Sequence, residues 1–218
     1  MTSLTSSSAI STKIHIICGL PGVGKTTYGR MLALKRSCAM LLDIDTCSER
    51  LVKAGMALAK LDPSDRDSEV FKSSFRAPIY DTVFQIAQEN IGLVSDIVII
   101  GPFTKEIKDP LWPSKLADFL GVSRVCVIVH FICCNSDERR ERLIKRNNPR
   151  DASKVQSQQD WESHCSYYGT ISEARPVFDH EFVDTSSSSS LSTDRAAATS
   201  PATKTTTKIT SSLSTESD

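Results

Sequence analysis

Residues 19 to 27 read GLPGVGKTT, directly after the apolar run Ile14–Cys18. This pattern, G-x-x-x-x-G-K-[ST], limits the chain more than any other stretch. It works only where a strand enters, a tight loop turns, and a helix leaves. Gly19, Gly22 and Gly24 let the backbone wrap and aim its N–H groups inward, with no side chains in the way. Leu20, Pro21 and Val23 complete the loop. Lys25 can then reach terminal phosphates, the Thr26 hydroxyl can ligate magnesium, and Thr27 follows on the new helix, whose positive end adds attraction for anions. The expected ligands are ATP and Mg2+.

Around this loop, apolar strand-like runs alternate with helical periodicity. Strands are expected over 14–18, 39–43, 97–100, 125–133 and 180–183. Helices are expected over 25–35, 49–59, 112–120, 136–146 and 154–168, with a mostly helical stretch from Asp67 to Asn90 that breaks or restarts at Pro78. Ser136 is the expected N-cap of the helix over 136–146. Apolar strands separated by helices predict an α/β fold, a parallel sheet covered on both faces, with the ligand at the carboxyl ends of the strands.

The folded domain is expected over residues 13–184. A polar leader (1–12) and a Ser/Thr-rich tail (185–218) are expected to be disordered, because neither holds enough apolar surface to offset ordering entropy. The 218 residues carry 26 basic and 26 acidic side chains, so global charge argues for neither nucleic acid nor membrane. No apolar run reaches the ~18 residues of a membrane span. The leader lacks the apolar core of a secretory signal, and the seven cysteines contain no CxxC. A reduced, cytoplasmic protein is the expectation.

Two further stretches carry candidate chemistry. The second strand ends LLDIDT, which places Asp43 and Asp45 at the edge that holds the loop. A carboxylate there can orient or deprotonate an acceptor hydroxyl, or reach magnesium, while one of the pair can instead cap the next helix. Asp45 is the expected site residue. In ERRERLIKRNNPRDASK (138–154), Arg142 and Arg146 share a helix face, and Arg150 and Lys154 follow Pro149. This is the composition of a basic lid that neutralises charge on a migrating phosphoryl group. The third strand instead runs into Gly101 and Pro102, without a carboxylate at its end. Arg50, Arg76, Thr104 and Lys105 are candidate acceptor contacts, Trp161 is expected to pack beneath the lid, and no histidine is assigned chemistry.

With these residues in place, the chain resembles the small P-loop kinase group that includes the polynucleotide kinase, zeta-toxin and chloramphenicol phosphotransferase families, and is especially similar to AAA family ATP-binding proteins grouped near them. GLPGVGKTT, LLDIDT, VIIGPFTKEIKDPLW and ERLIKRNNPRDASKVQSQQDW carry the resemblance. It implies a P-loop NTPase fold, a three-layer α/β/α sandwich with five parallel strands in order 2-3-1-4-5 and a small helical lid. It implies Lys25 on the ATP phosphates, Thr26 on the metal, Asp45 activating the acceptor hydroxyl, and Arg146 as the catalytic arginine with Arg142 beside it. The chain lacks the acidic residue that polynucleotide kinases and zeta toxins place after the third strand. The resulting expectation is a kinase acting on the hydroxyl of a small metabolite or a nucleic-acid 5′ end. A nucleotide-dependent switch or slow ATPase acting through a partner stands beside it.

Overall fold

The computed structural model describes residues 11–187 and 193–196. Six strands form one sheet in the order β2-β3-β1-β4-β5-β6. These are β1 (Lys13–Cys18), β2 (Ala39–Asp43), β3 (Asp96–Ile100), β4 (Val127–Cys133), β5 (His180–Asp184) and β6 (Thr193–Ala196). The first five pair in parallel, with Ile17 opposite Ile100 on one side and His130 on the other. The expected order 2-3-1-4-5 is therefore present. β6 adds an antiparallel edge within a segment expected to lack structure.

Alternation along β1 divides the core into two layers. Ile14, Ile16 and Cys18 join Ile97, Ile99, Val129 and Phe131 against helices α4 (Arg76–Glu89) and α5 (Trp112–Leu120). Ile17 joins Val98, Ile100, Ile132 and Val183 against α1 (Lys25–Leu34). Every residue of β1 after Lys13 is buried. Each buried isoleucine contributes about 2 kcal/mol, which is why the strand that feeds the glycine loop also anchors the sheet.

Below α1, polar groups cross the sheet in series. His15 Nε2 lies 2.9 Å from Asp96 Oδ1, and His15 Nδ1 lies 3.0 Å from His130 Nε2. On β5, Glu181 Oε2 lies 2.9 Å from His130 Nδ1, and the Tyr28 hydroxyl reaches the same nitrogen at 3.2 Å. The two histidines satisfy one another and their neighbours, so burial leaves neither without a partner.

Several boundaries differ from expectation for local reasons. Helix α2 (Ile44–Leu58) begins five residues before the expected Glu49, because Asp43 caps it by accepting from the Asp45 and Thr46 amides. The helical stretch after Asp67 divides at Phe75 into α3 (Glu69–Ser74) and α4. Pro78 then sits in the first turn of α4, where its missing N–H costs nothing. Asn135, not Ser136, caps α6 (Ser136–Arg146), accepting from the Glu138 amide at 2.8 Å. The helix expected over 154–168 is two: α7 (Ala152–Val155) and α8 (Gln158–Tyr168). A capping box between Ser157 and Asp160 starts the second. A last short helix, α9 (Ile171–Ala174), precedes β5. At the ends, Thr12 is buried and donates to Val94 O at 2.7 Å, and Thr185–Ser187 continue the ordered chain past Asp184. The remaining leader and tail lie outside the described residues. All seven cysteines are free, and no helix among the described residues is long and apolar enough to cross a membrane.

Candidate active site

The loop after β1 is shaped by close approach. Gly19 has φ +138°, and a Cβ there would stand 2.3 Å from Ile132 O, so only glycine fits. Gly24, in the left-handed region, turns the chain into α1, whose first turn carries no acidic residue. Val23 differs from its neighbours: its side chain is buried beneath the loop, and its carbonyl accepts from the Thr185 hydroxyl at 2.8 Å. Lys25 folds back and donates to Leu20 O at 2.8 Å. Burial pulls its ammonium down to about 8, although Asp45 pulls the other way.

The two aspartates divide the work differently from expectation. Thr26 Oγ1 donates to Asp43 Oδ2 at 3.0 Å, so the carboxylate beside the loop hydroxyl is Asp43. Asp43 also caps α2. Asp45, in the first turn of that helix and 57% exposed, accepts from Arg150 Nη2 at 2.5 Å. Burial acts to raise its pKa, but the Arg150 bond, with Lys25 and Arg146 nearby, holds it below the usual carboxylate range. The Asp45 bond in turn raises the pKa of Arg150.

The expected lid arginines part company. Arg146 is paired with the buried carboxylate of Asp151, and Arg150 reaches Asp45, so these two converge on the Lys25 side. Arg142 faces the other way: it donates to Glu138 Oε2, Thr185 Oγ1 and Thr185 O at 2.9, 2.9 and 2.6 Å. It thereby ties α6 to the end of β5 and, through Thr185, to the loop. Arg139, which sequence reasoning passed over, is buried with its guanidinium 4.6 Å above the Trp161 ring, and clasps α6 to α8. Trp161 packs beneath the lid as expected.

Lys25, Thr26, both aspartates, Arg142, Arg146 and Arg150 line a cleft of about 1230 Å³, which continues past Asp45 to α3, α4 and the turn after β3. Arg76, Thr104 and Lys105 line that far end. Arg50 is exposed and stands outside it. Arg76 is held by two 2.8 Å bonds to Glu106 and lies 4.7 Å over the Tyr80 ring. Phe103, with φ +49° after Gly101 and Pro102, anchors the turn by packing against Tyr80, Phe84 and Trp112. The missing carboxylate after β3 thus leaves an aromatic anchor in its place. Basic side chains along the cleft outnumber acidic ones two to one, in a chain of zero net charge. The cleft therefore focuses positive potential on anionic ligands.

Residues 14–164 match the AAA_33 family, described as AAA domain. The chain belongs to this family. Solved structures of similar fold include a sugar kinase from a Janibacter species, at 14% identity and TM-score 0.47, covering 80% of this chain and 85% of that one. Another is a shikimate kinase from Acinetobacter baumannii, at 18% identity and TM-score 0.44, covering 73% and 77%. A gluconokinase from Sinorhizobium meliloti matches at 13% identity and TM-score 0.42, covering 80% and 83%. No curated protein matches the chain. As an AAA_33 member the chain has an α/β P-loop fold. Its loop, paired aspartates and lid arginines stand at the carboxyl edge of the parallel strands, where such sheets bind ligands.

Proposed function

We propose that the chain is an ATP-dependent phosphotransferase that moves the γ-phosphate to a hydroxyl acceptor. The extent of the cleft carries this reading. Pockets for one small molecule run to roughly 300–1,000 Å³, and this one is about 1230 Å³. The loop occupies one end, Asp45 the middle, and Tyr80 with Thr104 the other. Transfer needs a second substrate in line with the phosphate; hydrolysis does not.

Lys25 exchanges Leu20 O for the ATP phosphates. Arg146 and Arg150 neutralise charge on the migrating group, held in place by Asp151 and Asp45. Asp45, kept ionised, orients the acceptor hydroxyl and takes its proton late in the transfer. Arg142 supports the loop and the nucleotide end through Thr185. Thr26 Oγ1 and Asp43 Oδ2 are hard oxygens of the kind magnesium accepts, in a site that leaves room for phosphate and water. When bound, the metal would be held by these two oxygens and would supply positive charge that offsets the phosphates.

The Asp45–Arg150 bond favours a second reading, a nucleotide switch or slow ATPase, because it occupies the base that transfer requires. Steady-state ATP consumption with and without pooled hydroxylated metabolites separates the two. The phosphotransferase reading expects acceptor-dependent turnover that is lost in Asp45→Asn. Equal slow turnover under all conditions rejects it.

A further inference from the structure

The far end of the cleft is built for more than a hydroxyl. It lies on the β2–β3 side of the sheet, whereas Arg142 and Thr185 stand on the β4–β5 side. Lys105 opens the 3-10 turn Glu106–Lys108 and is exposed to the cleft. Its ammonium makes no hydrogen bond or ion pair among the described residues. Lys108, three residues on, shares a face of that turn but is taken up by the carbonyls of Glu173 and Arg175. Across the cleft, Lys72 is paired only loosely, at 3.5 Å, with the exposed Glu69. The Tyr80 ring is buried 4.7 Å from the Arg76 guanidinium, and its hydroxyl oxygen is closed to the cleft.

Arg76 spends only two of its five N–H donors on Glu106. Glu106 is engaged by Arg76, and Glu173 in this wall accepts from the Thr170 amide. The nucleotide phosphates do not account for these cations, because Lys25, Arg146 and Arg150 already serve them from the loop side. We infer that the acceptor carries a compact oxyanion, a carboxylate or phosphate ester, apart from its reacting hydroxyl, and that Lys105 and the remaining donors of Arg76 hold it. This rests on the phosphotransferase reading for the identity of the bound molecule as acceptor. Ile79, Ile107 and Ala174 close the same end with apolar surface, which suits a small metabolite better than a nucleic-acid strand.

The test blocks the nucleotide site first. Protein saturated with magnesium and β,γ-imido-ATP is titrated by calorimetry with inorganic phosphate and, separately, with acetate, at ionic strength matched by chloride. Saturable binding of at least one anion is expected, with phosphate against acetate reporting which oxyanion fits. Lys105→Ala is expected to weaken it about tenfold or more, the scale of one charge-assisted bond. Lys105 is exposed, so its truncation leaves folding intact, and unchanged β,γ-imido-ATP affinity checks this. No binding of either anion, or equal binding by Lys105→Ala, overturns the inference. Phosphate transfer to neutral polyols without anion binding overturns it while sparing the kinase reading. Anion binding without transfer to any acceptor overturns only the latter.

Discussion

Lys25 links its surroundings to a measurable titration. In the nucleotide-free protein, burial holds its ammonium near 8, so it is largely charged at neutral pH and loses its proton above that value. Phosphates favour the charged form, so nucleotide binding above pH 8 must take up a proton. Affinity for ATP is therefore expected to fall by about tenfold per pH unit above about pH 8, as followed by nucleotide fluorescence titration. Lys25→Met is expected to bind weakly, with that slope removed. Asp43 and Asp45 invite a paired comparison. Asn is as good a helix cap as Asp, so Asp43→Asn is expected to keep thermal stability while raising the magnesium requirement. Asp43→Ala is expected to lose about 1 kcal/mol as well. Asp45→Asn is expected to lower kcat by about 10²–10⁴ with ATP affinity little changed, read from initial rates. The sequence placed both carboxylates at the edge of the sheet, but alternation along an extended chain could not show that helix α2 begins at once. That early start turns Asp43 toward Thr26 and Asp45 toward Arg150.

The strands carry their own pH dependence. Burial lowers the pKa of His15, against the pull of Asp96, so the folded protein binds fewer protons than the unfolded chain below about 6.5. Stability from this group is fully present above that pH and is lost as pH falls toward the folded value. Asp96 acts in the same sense: burial raises its carboxyl, but the Ser95 and His15 bonds prevail, and stability is lost as it protonates in stronger acid. Denaturant midpoints are thus expected to drop between about pH 7 and pH 5, and less steeply in His15→Gln, which keeps a donor and an acceptor without titrating. In the lid, Trp161→Ala is expected to cost about 3–5 kcal/mol if the clasp unfolds with the domain, measured by chemical denaturation. The strands and α1 were legible because periodicity and burial coincide there. The lid was legible only as basic composition. Which arginine turns to the Lys25 side depends on partners outside the helical repeat, Asp151 just past the end of α6 for Arg146 and the distant Thr185 for Arg142.

The folded body extends beyond what composition suggests. A Ser/Thr-rich segment buries little apolar surface, yet Thr185 and Ser187 dock through hydrogen bonds to Val23 O and Glu138, and β6 pairs through its backbone. Such bonds leave no hydrophobic signal to read. Arg76, Thr104 and Lys105 were legible as candidates at the far end of the cleft, but the same limit hid how that end is held, where Glu106 and Tyr80 meet Arg76 across separate elements. Loop, aspartates and lid together line one cleft, where the proposed transfer would couple a nucleotide to a second molecule. Incubating the protein with γ-labelled ATP, magnesium and fractionated metabolite extract, with an RNA pool in parallel, tests this transfer. Label is expected covalently on an acidic, hydroxylated small molecule, with none from Lys25→Ala. Label recovered only as inorganic phosphate, at a rate no acceptor changes, would contradict it.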